Sequence, residues 1–329
     1  MYDEVFLERL GESLRAALPR WGLDRRAELS LLNVSENATF LVEAPERRLV
    51  IRVHRPGYHR REEIESELQW IAALRAEGVV ETPQPLPTAE GGLLCRLEDG
   101  GEERFAVAFD YMSGREPAQD EGLEAWFRRL GAISARLHGH SRAWRRPAGF
   151  ERKLWDFDAM LGRRRLWGDW REGLGLAEAG PEPRALLERT AGLLQRRLAV
   201  YGQGPERFGL VHADLRLANL LVEEERLGVI DFDDCGFSWF VYDFAAAISF
   251  FEHEPIVPAL QQAWVEGYRS VAPLAPEDEA EIPVFVMLRR MLLTAWIASH
   301  AETPTAQEMG TAYTEGTLAL AEDFLGRYG

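Results

Sequence analysis

The densest polarity that no core requires lies in Val211-His212-Ala213-Asp214-Leu215-Arg216-Leu217-Ala218-Asn219. It resumes in Gly228-Val229-Ile230-Asp231-Phe232-Asp233-Asp234. Both stretches set carboxylates at the ends of apolar, strand-like runs, where a bare charge is costly unless paired, hydrogen-bonded or metal-bound. Asp214 can take a proton from an alcohol, and Asn219 and Asp231 offer hard oxygens of the kind magnesium accepts alongside substrate phosphates. Moving a phosphoryl group calls for such a set, because positioning and charge neutralisation supply most of its catalysis. Each residue also has a plain structural reading: Asp214 as a turn cap, Asn219 as a loop brace, Asp231 as the end of a hairpin. Taken together, His-x-Asp-x4-Asn followed by a strand and a second aspartate fits that plain reading much less easily.

Other chemistries lack their residues. The histidine is isolated from any cysteine or second histidine in register, which excludes a zinc site. No Gly-x-Ser-x-Gly elbow, G-x-G-x-x-G or G-x-x-x-x-G-K-[S/T] is present, so neither a serine hydrolase nor a P-loop NTPase is indicated. Two cysteines, Cys95 and Cys235, make no disulfide framework and point to a reducing cytoplasm. The net charge of −16 argues against broad nucleic-acid binding. The counterexample is the run Arg142, Arg145, Arg146, Arg152, Lys153, Arg163, Arg164 and Arg165, read as a solvated face. Lys153 is the one lysine in the chain, all other basic side chains being arginine, so a mechanism that needs lysine has a single candidate.

These residues need elements to hold them. The 329 residues suit two domains or lobes. Apolar spacing predicts a helix over 3–18, strands over 29–34, 38–42 and 48–54, and a helix over 61–77 with Ile64, Leu68, Ile71 and Leu74 on one buried face. Short strands are expected over 92–97 and 104–110, then a long helix over 121–141. The tryptophan-rich stretch 147–175 is irregular, and a helix is predicted over 183–201. Strands at 208–212, 220–222 and 228–231 flank the polar constellation, and about four helices follow. The apolar stretch 283–299 carries Arg289 and Arg290 and reads as a buried helix, not a membrane span. The N-terminus is acidic and amphipathic, without the pattern of a secretory signal. The layout is a small mixed lobe of about 110 residues, a connector, and a larger helical lobe, with a ligand expected in the cleft. Hairpins at short intervals argue against a Rossmann unit.

The catalytic-loop spacing and the Ile230-Asp231-Phe232-Asp233-Asp234 run resemble the catalytic and metal-binding loops of the aminoglycoside phosphotransferase and choline kinase superfamily, near its homoserine-kinase-like and stress-response kinase branch. The likeness extends from about Ser30 to Trp296. It implies an α+β, protein-kinase-like two-lobed fold: an N-lobe with an antiparallel sheet over 1–110, a hinge over 111–116, and a mainly helical C-lobe over 117–329. It implies Asp214 as catalytic base, Arg216 beside the transferred phosphate or fixing the loop, Asn219 and Asp231 as magnesium ligands, and Asp243 as a brace for the loop. Asp233 is expected behind the metal, and His212 in a structural role.

On the nucleotide side the resemblance places Asn33–Phe40 over the ATP phosphates, with Ser35 and Asn37 doing the work of the usual glycines. Without the family that turn is a plain hairpin. Kinases anchor phosphate with a third-strand lysine paired to a helical glutamate. Here Arg52 holds that place and Glu67 is its expected partner, while Phe109, Tyr111 and Met112 form the hinge over adenine. Arginine keeps its charge and can grip phosphate with parallel hydrogen bonds, though it is bulkier. The implied activity is ATP- and magnesium-dependent transfer of the γ-phosphoryl group to a small, amine-bearing alcohol, in the cytoplasm and without nucleic-acid or membrane partners. Glu252, Glu254 and Asp234 are candidates to attract the amine, and Glu252 and Glu254 read equally as solvated acids. The alternatives are a Ser/Thr protein kinase and a weakly active or silent ATP-binding module.

Overall fold

A computed structural model of the protein describes residues 4–34, 37–118, 122–177 and 180–329. The chain divides into two compact units, Met1–Gly114 with Arg146–Arg152, and Arg115–Arg145 with Lys153–Gly329. This partition differs from a division at the connector in one place, since Arg146–Arg152 groups with the first unit.

The first unit contains α1 (Glu4–Ala17), β1 (Glu28–Val34), β2 (Ala38–Ala44), β3 (Arg47–Val53), α2 (Arg61–Ala76), β4 (Pro85–Leu86), β5 (Cys95–Asp99) and β6 (Glu102–Asp110). The strands form one antiparallel sheet in the order β1-β2-β3-β6-β4, with β5 also paired to β6. Strand alternation gathers Phe40, Val42, Leu49, Ile51, Ala106 and Ala108 into one core with Leu10 and Leu14 of α1. Asp99 ties α1 to the sheet, accepting from Arg9 Nε at 2.7 Å and from Arg104 Nε at 3.1 Å. Arg52 lies between Ile51 and Val53 on β3, so the same alternation turns it to the other face of the sheet. In α2 the helical spacing buries Ile64, Leu68, Ile71 and Leu74, and Glu67 shares their stripe.

The second unit contains α3 (Leu123–Ala143), β7 (Lys153–Leu154), α4 (Phe157–Met160), α5 (Trp170–Leu176), α6 (Pro181–Tyr201), β8 (Phe208–Val211), β9 (Leu220–Glu223), β10 (Arg226–Val229), β11 (Gly236–Trp239), α7 (Tyr242–Ala247), α8 (Val257–Arg269), α9 (Pro276–Ser299) and α10 (Pro304–Tyr328). It is mainly helical. β9 and β10 form a hairpin, and β11 lies between β7, parallel, and β8, antiparallel. Helices α3 and α8 cross backbone to backbone: a Cβ on Gly131 would strike the Trp264 carbonyl, and one on Gly267 the Arg128 carbonyl. By length and composition α9 could cross a membrane, but 78% of its most apolar window is buried within the structure. It is a core helix.

Candidate active site

β8 ends at Val211 and delivers the chain into a loop that returns through a short 3-10 turn, Leu217–Asn219, to β9. His212 is buried in this loop. Its Nδ1 accepts from the Asp214 backbone N–H at 3.3 Å, so its Nε2 carries the proton donated to the Ile230 carbonyl at 3.2 Å. Burial pushes the His212 imidazole down, keeping it neutral. Asp243, fully buried at the start of α7, accepts from Ala213 N–H at 2.8 Å, from His212 N–H at 3.4 Å and from His138 Nε2 at 2.9 Å. Ala213 and Asp231 both adopt positive φ, 66° and 60°. Non-glycine residues in that region cost on the order of 1–3 kcal/mol and concentrate at functional sites.

The Asp214 carboxylate is held from three sides. Oδ2 accepts from Asn219 Nδ2 at 2.7 Å and from Arg216 Nε at 3.2 Å, while Oδ1 accepts from Arg289 at 2.8 Å. Burial alone would raise the Asp214 pKa, but the Arg216 and Arg289 charges outweigh it and hold the carboxyl below its usual range. The group is ionised.

Asn219 spends its second amide proton on the Asp214 carbonyl, at 2.9 Å, which leaves Oδ1 as the atom for a cation. The backbone of Asn219 accepts from Ile230 N–H at 2.9 Å across the β9–β10 hairpin. Asp231 follows directly. The expected strand over 228–231 ends at Val229, and the left-handed turn at Asp231 leaves its side chain exposed. Asp231 Oδ1 accepts from Asp233 N–H at 3.4 Å. Trp155 braces the same loop, donating from Nε1 to the Asp234 carbonyl at 2.8 Å.

In the first unit the structure joins Arg52 and Glu67. One guanidinium nitrogen donates to both carboxylate oxygens, at 2.6 and 2.8 Å, with side chains 6% and 0% exposed. Phe109 on β6 pairs with Val50 on β3, its ring 5.5 Å from the Arg52 guanidinium. Tyr111 and Met112 continue beyond the strand; Tyr111 N–H reaches the Arg48 carbonyl at 3.4 Å, and the Arg48 guanidinium lies 3.9 Å from its ring centre. Asn37 is buried and its Oδ1 accepts from Arg55 N–H at 3.1 Å, an inward brace for the turn. Ser35 lies outside the described residues.

Three features do not follow from local spacing. Arg289 contacts Asp214 from α9, in a place where the sequence shows only an arginine pair inside an apolar helix. Glu252 is not a solvated acid: Arg290 donates to its Oε2 at 2.8 Å, Tyr313 OH to its Oε1 at 2.9 Å, and it is buried. The basic run is only partly a solvated face, because Arg152 is buried, donating to the Glu63 carbonyl at 2.7 Å, and Lys153 lies 3.9 Å from Asp234.

A sheet-bearing first unit with a buried cation–glutamate pair, and a helical second unit with an Asp–Asn–Asp loop set, define an ATP-dependent phosphotransferase with a protein-kinase-like fold. Residues 29–274 match the phosphotransferase enzyme family (APH), and the chain belongs to that family. A solved structure of a microcompartment-associated aminopropanol kinase is 45% identical, covers 96% of this chain and 98% of that one, and superposes with a TM-score of 0.89. Amicoumacin kinase of Bacillus subtilis (strain 168) is 27% identical over 239 residues, 69% of this chain and 67% of that protein. Homoserine kinase of Gluconobacter oxydans (strain 621H) is 25% identical over 329 residues, 94% and 95% of the two.

Proposed function

We propose that the protein transfers the γ-phosphoryl group of ATP to the hydroxyl of a small amino alcohol. The observation that carries the reading is the ionised Asp214, held by Asn219, Arg216 and Arg289 on a loop of strained backbone. The likeness to an aminopropanol kinase supports the acceptor class. The acceptor oxygen attacks the γ-phosphorus, its proton passes to Asp214, and the bond to the β–γ bridging oxygen breaks with its electron pair leaving on ADP. Arg52, oriented by Glu67, is assigned the α- and β-phosphates, with Asn37 shaping the turn and Phe109 to Met112 the adenine side. Arg216 serves to fix the loop, since its Nε is already on Asp214.

Among the described residues no group of three or more His, Cys, Asp and Glu is placed to hold an ion. Hard oxygens from Asn219 and Asp231 nevertheless suit magnesium, which takes few protein ligands beside substrate phosphates. Bound there, it would neutralise phosphate charge. Use of ATP and the two buried thiols Cys95 and Cys235 support a cytoplasmic location.

The test is ADP release with magnesium and a panel of 1-amino-2-propanol, ethanolamine, choline, homoserine, an aminoglycoside and a generic protein substrate. Turnover is expected with an amino alcohol, and Asp214→Asn is expected to lower kcat about a hundred- to ten-thousand-fold. Wild-type turnover in that variant overturns the role of Asp214. Preferential phosphorylation of protein overturns the acceptor class.

A further inference from the structure

Helix α9 carries two arginines in a setting that is otherwise apolar, and the first of them is committed to the loop chemistry. Arg289 is 2% exposed. It donates to Asp214 Oδ1 at 2.8 Å, to Tyr242 OH at 3.0 Å, to Ser249 Oγ at 3.0 Å and to the Ala213 carbonyl at 3.4 Å. The Trp167 ring lies 5.1 Å from the guanidinium. A buried guanidinium is tolerated only when its donors are used, and here they are spread over α7, the segment after it and the loop itself. The plane is therefore fixed from several elements, and the nitrogen facing Asp214 has one position.

The two carboxylate oxygens of Asp214 differ in what they have left. Oδ2 receives two donors, Asn219 and Arg216, which account for its two lone pairs. Oδ1 receives one, from Arg289, and keeps a lone pair. An acceptor hydroxyl that gives its proton to Asp214 must approach Oδ1.

We propose that Arg289 is a positioning residue for the transfer: it fixes Oδ1 of Asp214 from the core helix so that the remaining lone pair is presented to the acceptor hydroxyl. This rests on Asp214 as the proton acceptor. Arg216 cannot replace it, because Arg216 acts on the other oxygen and is itself part of the loop it would have to hold. Rotation of the carboxylate by a fraction of an ångström is what the contact prevents, and misplacement of about 1 Å can cost on the order of a hundred-fold in rate.

The test is steady-state kinetics with ATP and 1-amino-2-propanol, with nucleotide binding measured separately. Arg289→Met is expected to lower kcat on the order of a hundred-fold while KM for ATP and nucleotide affinity stay within about three-fold. Arg289→Lys, which keeps a charged donor, is expected to recover about ten-fold of that loss. Equal losses in the two variants, or a loss confined to KM for ATP, overturn the proposal. If Arg289→Met does not fold, Tyr242→Phe decides in its place. It removes the shorter of the two hydrogen bonds made by one guanidinium nitrogen, leaving that to the Ala213 carbonyl, without touching Asp214; it is expected to lower kcat several-fold at unchanged ATP KM, and unchanged kcat overturns the proposal. Asp214→Asn, assayed alone, separates the two readings: full activity there removes Asp214 as the base, whatever Arg289 does.

Discussion

The Arg52–Glu67 pair permits a double-mutant cycle in which stability and catalysis move in opposite ways. Both side chains are excluded from solvent and the nitrogen–oxygen distances are 2.6 and 2.8 Å. With charge centres about 4 Å apart and an effective dielectric near 20, the attraction is about 4 kcal/mol. Desolvation of the two ions offsets most of that in the intact pair. Glu67→Leu removes the attraction and leaves Arg52 desolvated, so its cost is expected to be about 3–5 kcal/mol, and Arg52→Met should fall in the same range. Against a total stability on the order of 5–15 kcal/mol, either loss is severe. The double variant Arg52→Met/Glu67→Leu removes both charges, fills the space with carbon, and should regain most of the stability. Urea unfolding of the four proteins yields the coupling energy directly. Activity should not recover, because the cation proposed to anchor the phosphates is gone. Singles within about 1 kcal/mol of wild type would refute the buried-pair energetics. A stable double variant with wild-type kcat and ATP KM would refute the phosphate role of Arg52.

Two further outcomes concern what holds each unit together. In the first, the Arg9 hydrogen bond, against the opposing effect of burial and with Arg104 adding to it, holds the Asp99 carboxyl below its usual range. A depressed folded pKa contributes stability above the unfolded value, ~3.9, that is lost as pH falls through the folded one. Asp99→Asn should therefore unfold at lower urea than wild type at pH 7, with the gap closing only below about pH 4; a gap constant down to pH 3 would show that the charge is not what matters. In the second unit, Gly267→Ala should cost about 2 kcal/mol or more even though alanine favours helix by about 1 kcal/mol, since its methyl meets the Arg128 carbonyl. Gly139→Ala, in open space on α3, should be neutral or stabilising in the same melt.

What can be read from sequence is what local spacing encodes. The stripe Ile64, Leu68, Ile71 and Leu74 predicts α2, while Glu67 on that helix is singled out by the kinase resemblance, not by periodicity. Arg52 likewise comes from the resemblance, and the structure joins it to Glu67. Not every short strand is legible: β8, β9 and β10, of four residues each, stand out as apolar runs flanking the polar constellation, whereas β4, β7 and β11 have too few residues to tell strand from buried loop. The strand expected to reach Asp231 stops two residues earlier, since a left-handed turn is decided by the hydrogen bonds around it and not by its own side chain.

Helix α9 carries contacts that local spacing does not encode. Successive residues on a helix point about 100° apart, so Arg289 and Arg290 serve different partners. Arg290 donates to Glu252, Thr317 and the Tyr313 carbonyl, joining α9 to α10, while Arg289 turns to Asp214, 75 positions earlier in the chain. An apolar helix with two charges predicts only that each charge must be paired. Which carboxylate each one finds depends on packing between elements far apart in sequence. Arg290 needs an acid, and Glu252 supplies it, which is why Glu252 is not a solvated side chain. The same requirement, applied to Arg289, leads to Asp214. A buried, unexplained arginine is thus a pointer to a carboxylate whose orientation is controlled, and in this chain that carboxylate is the one to which the transfer chemistry is assigned.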